Sequence, residues 1–109
     1  MQAYERLIRY ARIHTTSDEN ADTTPSTARQ FDLSQLLARE MTAMGFRDVM
    51  VDEHAYTYGV IPSSEGCGDW PSVGLIAHLD TAPDFSGEGV NPQLVSDYGA
   101  VSKQQNQMN

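Results

Sequence analysis

Apolar residues recur at helical spacing in two stretches of the first half of the chain. Residues three or four apart lie on the same side of a helix. In the first stretch, about residues 2 to 13, one such face carries Tyr4, Leu7, Ile8 and Ala11. The charged residues of the stretch lie outside this face, so the stretch predicts an amphipathic helix.

The second stretch follows a polar segment, residues 15 to 24, which predicts an exposed loop. Thr27 and Gln30 have the spacing of a capping box, and Gly45 is suited to end a helix in the left-handed conformation. Between these signals the apolar positions with helical spacing are Leu33, Leu36, Leu37, Met41 and Met44. The pattern therefore predicts a second helix that ends at Gly45.

The pattern changes after Gly45 to an alternation with a period of two. Two runs show it, with Val49 and Val51 alternating with Asp48, Met50 and Asp52, and Tyr56, Tyr58 and Val60 alternating with Thr57, Gly59 and Ile61. The three residues from Glu53 to Ala55 can form the turn between them. This arrangement predicts a β-hairpin.

A continuous apolar run, Val73 to Leu79, lies between Pro71 and Pro83. Runs without polar alternation are typical of strands buried on both faces, which favours a parallel sheet covered by helices. The sequence thus predicts an α/β fold with a buried central strand.

His78 and Asp80 stand at the carboxyl end of this run. Residues i and i+2 of a strand point to the same face, so the imidazole and the carboxylate should project together. Imidazole is the commonest metal ligand, and its second nitrogen needs a hydrogen-bond acceptor to orient the ring. The spacing also fits a second interpretation, in which His78 is a buried histidine bonded to the backbone and Asp80 forms a turn.

Composition narrows the possible functions. The 109 residues carry a net charge of −8, and Lys103 is the single lysine. An acidic surface argues against binding nucleic acid or an anionic membrane. Cys67 has no partner for an internal disulfide, and no apolar stretch has the length of a membrane span or a signal peptide, so we expect a cytoplasmic protein.

The segment that begins at His78 resembles a known family. It reads HLDTAPDFSG over 78 to 87 and GVNPQLV over 89 to 95, with Tyr98 after it. Matching earlier segments, in the same order, are LIRY at 7 to 10, IHTTS at 13 to 17, PST at 25 to 27, Gln30, and MGF at 44 to 46. Together they resemble the amino-terminal portion of the peptidase T family, bacterial tripeptide aminopeptidases with two zinc ions. His14 departs from the family, which usually has an aspartate there.

The resemblance covers about residues 1 to 98. It implies the start of a three-layer α/β/α catalytic domain, in which His78 binds one zinc ion and Asp80 is the active-site carboxylate that orients the imidazole. The remaining residues, 99 to 109, are polar and amide-rich, so we expect a disordered or non-native tail.

The family's other site residues have no counterpart in this chain. Asp84, Glu88 and Asp97 do not match its bridging aspartate, paired glutamates or second histidine. One histidine does not hold catalytic zinc, which usually takes three protein ligands. We therefore expect the chain to be inactive alone, with zinc and a tripeptide substrate bound by the complete enzyme. The alternative is a non-catalytic module that forms homo-oligomers or binds a partner, because an uncovered strand pairs with other chains.

Overall fold

The computed structural model describes residues 1–98, which contain two helices and a two-stranded antiparallel sheet. In chain order the elements are α1 (Ala3–Ala11), α2 (Gln30–Ala43), β1 (Arg47–Val51) and β2 (Thr57–Val60). This small α/β arrangement confirms the two predicted helices and the hairpin. Neither helix in this part of the chain has the length and apolarity needed to cross a membrane. The predicted tail, residues 99 to 109, lies outside the described residues.

Helix α2 ends as its sequence predicts but begins differently. Gly45 has a φ of 89°, its N–H donates to the Thr42 carbonyl, and the N–H of Phe46 donates to the Met41 carbonyl at 3.0 Å. These two bonds form a Schellman motif. At the other end the predicted cap at Thr27 is wrong, because the helix begins at Gln30 and the Thr27 hydroxyl donates to the Thr16 carbonyl at 3.1 Å.

The Asp52 carboxylate supplements the backbone hydrogen bonds that close the hairpin turn. Asp52 Oδ1 accepts hydrogen bonds from the backbone N–H groups of His54 and Tyr56, both at 2.9 Å. Ala55 takes a left-handed φ of 63° and is buried. The short aspartate side chain thus replaces a backbone partner inside the turn, as aspartate commonly does.

The core lies where α2 packs on the hairpin. Leu33 and Leu36 are buried there together with Ala55. Ser34 has no exposed surface, and its hydroxyl lies 2.6 Å from the carbonyl oxygen of Ala55. This hydrogen bond links the helix to the turn and satisfies a buried polar group, which would otherwise be costly.

Side-chain ion pairs, rather than a buried apolar face, join helix α1 to α2. None of its residues is buried, and its side chains converge on the buried carboxylate of Glu40. Arg6 and Arg9 approach this carboxylate at 2.8 and 2.7 Å, and the Tyr10 hydroxyl donates to it as well. Such charge-assisted hydrogen bonds are stronger than neutral ones.

The prediction of a buried central strand over Val73 to Leu79 is wrong for the described part of the chain. The segment forms no strand, and Leu75 and Ile76 are 91% and 101% exposed. Burial of such a run requires neighbouring strands and a covering layer, and residues 1–98 place β1 and β2 in a separate sheet. The three-layer catalytic domain consequently stays a prediction.

Candidate metal-binding site

His78 and Asp80 do meet, as their spacing predicts. Nδ1 of His78 lies 3.1 Å from Oδ1 of Asp80. An ionised carboxylate can only accept, so the hydrogen of a neutral His78 ring must be on Nδ1. The Nε2 atom then keeps its lone pair, and the His78 side chain is 84% exposed. This is the arrangement that a metal-binding imidazole requires.

The backbone beyond the pair is held by a loop near the amino terminus. Thr81 forms a parallel bridge with Thr16. Its N–H donates to the Thr15 carbonyl at 3.2 Å, and its carbonyl accepts from the N–H and the hydroxyl of Ser17, both at 3.0 Å. The pair is thus anchored immediately after Asp80, by residues more than sixty positions earlier in the chain.

An open groove of about 850 Å³ contains the pair. Leu75 to Asp80 line one part of it, and α2 and the hairpin supply apolar and aromatic residues to the rest. These residues are Leu37, Met41, Tyr56 and Tyr58. The groove therefore combines an apolar lining with one oriented imidazole.

The donor atoms present do not make a complete zinc site. Within residues 1–98, no three histidine, cysteine, aspartate or glutamate residues are grouped so that they could hold a metal ion. His78 offers one nitrogen, and the Asp80 oxygen closest to it is engaged by the ring. The described residues thus fit one ligand and its orienting carboxylate, whereas a catalytic zinc ion usually takes three protein ligands.

Sequence reasoning did not find the cluster around Glu40. Burial alone raises the pKa of this carboxyl, but hydrogen bonds from Tyr10 and Arg6 and the charges of Arg6 and Arg9 outweigh burial and lower it. The pKa of Tyr10 is raised by burial and by its hydrogen bond to Glu40. A signal was available in the sequence, because Glu40 falls within the apolar stripe of α2 and Arg6, Arg9 and Tyr10 share one face of α1.

No protein family model matches this chain. Curated relatives named peptidase T do match it. The chain is 44% identical to the one from Geobacillus kaustophilus over 94 residues, 48% identical to one from Exiguobacterium over 94 residues, and 42% identical to the one from Lysinibacillus sphaericus over 106 residues. These alignments cover 86 to 97% of this chain and 23 to 26% of the relatives. The resemblance described from the sequence is confirmed, and the chain spans about a quarter of the length of these relatives.

Proposed function

From the similarity of this chain to peptidase T along most of its length, we propose that it is the amino-terminal part of a zinc-dependent tripeptide aminopeptidase. The observation that carries the proposal is the 3.1 Å contact between His78 and Asp80 within a segment that aligns with these peptidases. His78 contributes one metal ligand through Nε2. Asp80 is the active-site carboxylate that holds the proton on Nδ1 and fixes the plane of the ring.

A chimera tests this proposal. In it, residues 1–98 replace the matched segment of the Geobacillus kaustophilus peptidase T, which is 44% identical. We expect the chimera to hydrolyse a simple tripeptide, because the exchanged segment supplies His78 as a metal ligand and Asp80 as its orienting carboxylate. The relative itself and its truncated form without the segment are the controls. A folded, metal-loaded chimera without activity would contradict the proposal.

The isolated chain is expected to show no tripeptide hydrolysis, even with added zinc or cobalt. The physical reason is the incomplete donor set, since no three candidate ligands lie together within residues 1–98. The measurement is release of the amino-terminal residue from a tripeptide by a preparation made in a host lacking its own peptidases. Tripeptide hydrolysis that co-purifies with the chain would show that the chain by itself forms a complete catalytic site.

Self-association is the second proposal, and the exposure of the apolar run favours it. Val73, Leu75 and Ile76 are each more than four-fifths exposed in a segment outside the helices and strands. Exposed backbone that carries apolar side chains pairs with the strands of other chains. We expect light scattering at about 50 μM and physiological salt, which screens the net charge of −8, to give at least twice the mass of one chain.

A charged substitution in the run should reduce this association. Ile76→Lys places a charge at the most exposed of Val73, Leu75 and Ile76, and lysine is a residue that blocks edge pairing. Leu94→Lys is the matched control, because Leu94 is 70% exposed and lies outside the run. A monomeric native chain, or equal effects of the two substitutions, would contradict the proposal.

A further inference from the structure

The His78 and Asp80 pair lies on a segment that is not held by a sheet. Residues 73 to 79 form no strand in the described part of the chain. Whatever keeps Asp80 within hydrogen-bond distance of His78 must therefore act through other contacts. Thr81, which directly follows Asp80, makes those contacts with residues 15 to 17.

The hydroxyl of Thr16 lies at the centre of these contacts. Thr16 is only 9% exposed, and its Oγ1 accepts a hydrogen bond from the N–H of Gly87 at 2.7 Å. The Thr81 hydroxyl lies 3.5 Å from the same oxygen. Thr16 is fixed in turn by Thr27, whose hydroxyl donates to the Thr16 carbonyl at 3.1 Å. One buried hydroxyl thus touches both ends of the loop from Thr81 to Gly87.

Gly87 shows how closely this loop approaches Thr16. A Cβ atom added at Gly87 would lie 2.8 Å from the Thr16 hydroxyl oxygen and 3.2 Å from the Thr81 hydroxyl oxygen. Real Cβ contacts of 2.8 Å are essentially absent from proteins. Glycine is therefore required for the loop to close on Thr16.

We propose that Thr16 is a positioning residue for the His78 and Asp80 pair. Its hydroxyl holds the loop at Gly87 and lies beside Thr81, whose own backbone is bonded to residues 15 and 17. In this way it fixes the backbone that carries Asp80, and Asp80 then selects the tautomer of His78 that leaves Nε2 free. A displacement of about 1 Å removes a hydrogen bond of this length. The importance of Thr16 for catalysis rests on the proposed function. Its structural effect can be measured in the isolated chain, with no assay of activity.

The test compares Thr16→Val and Thr16→Ser in the chain as it stands. Valine keeps the shape of threonine and removes the hydroxyl, whereas serine keeps the hydroxyl. Thr42→Val is the matched control, because the Thr42 hydroxyl bonds within α2 to the Ala38 carbonyl and is exposed. The readout is the ratio of the two neutral tautomers of His78, Nδ1–H over Nε2–H. It is measured by ¹⁵N NMR at about pH 8.5, where histidine is mostly neutral.

In the native chain, Thr16→Ser and Thr42→Val, we expect the Nδ1–H form of His78 to predominate. In Thr16→Val the ratio should fall by about 3 to 10-fold, as the loss of one hydrogen bond implies. His54 is an internal reference, because its Nδ1 lies 3.2 Å from the Thr24 carbonyl, a separate contact that should not change. An unchanged His78 ratio in folded Thr16→Val would overturn the proposal.

Gly87→Ala keeps the inference testable if Thr16→Val does not fold. This variant retains the Thr16 hydroxyl and displaces the loop from it. We expect the same fall in the His78 ratio, with the His54 signals unchanged. A native ratio in Gly87→Ala would overturn the proposal. If the chimera proves inactive while the ratio behaves as expected, the proposed function fails and the positioning role of Thr16 stands.

Discussion

His78→Ala in the chimera is expected to lower tripeptide hydrolysis and bound metal by more than about 100-fold. The substitution removes a metal ligand from a site that usually has three protein ligands, so the loss cannot be compensated by the residues that remain. Asp80→Ala should cost only about 10 to 100-fold, because it removes the orienting carboxylate and leaves the ligand in place. Metal content after identical dialysis, measured beside kcat and KM, separates the two effects.

His54→Ala is the control for these substitutions. His54 is a second histidine of the groove lining, it lies at the hairpin turn, and its side chain is about half exposed. We expect its replacement to leave metal content and activity near native. Equal metal loss from His78→Ala and Asp80→Ala would show that Asp80 is itself a ligand. Native metal content in the His78→Ala chimera would refute the metal site.

Glu40→Gln is expected to lower the free energy of unfolding of the isolated chain by about 2 to 3 kcal/mol. Glutamine has no charge to offer the guanidinium groups of Arg6 and Arg9, which approach the Glu40 oxygens at 2.8 and 2.7 Å. Removing one partner of a buried ion pair costs about 3 to 5 kcal/mol, and the partial exposure of both arginines reduces this value. Urea unfolding followed by circular dichroism measures the difference.

Glu53→Gln is the matched control, since the Glu53 side chain is 86% exposed. It should change stability by no more than about 0.5 kcal/mol. Because α1 has no buried residue, its docking depends on Glu40 more than on apolar contacts. Amide exchange in α1 should therefore increase in Glu40→Gln before exchange in α2 does. Similar losses of stability in the two variants would contradict this role of Glu40.

The pH dependence of stability has a defined sign at Glu40. The pKa of its carboxyl is lower in the folded chain than its ordinary value of 4.5, because hydrogen bonds and the arginine charges outweigh burial. Its stabilising contribution is therefore complete above the ordinary glutamate range and is lost as pH falls through the lower folded value. Glu40→Gln should lack this component, so the difference in stability between the native chain and the variant should shrink on acidification.

Much of the local structure follows from the sequence alone. Residues 2 to 13, 27 to 44 and 49 to 60 carry the periodicities of helix, helix and hairpin, and each forms the element that its pattern predicts. The contact between His78 and Asp80 was also predictable. Extended backbone brings residues i and i+2 to the same side with or without a sheet, which puts the two side chains within reach of each other.

Other features depend on residues far apart in the chain. Thr16 meets Thr81 and Gly87, and Glu40 meets three residues of α1. The position of Glu40 in the apolar stripe of α2 signals a buried carboxylate, but no local spacing identifies the partners in any of these pairings. The apolar character of Val73 to Leu79 shows that the run suits a buried strand but does not supply the strands that would bury it. Helices, turns and the His78 and Asp80 pair were thus determined by short-range geometry. The tertiary structure decided the exposure of the run and the anchoring of the pair, because both depend on which distant segments are present to make contact.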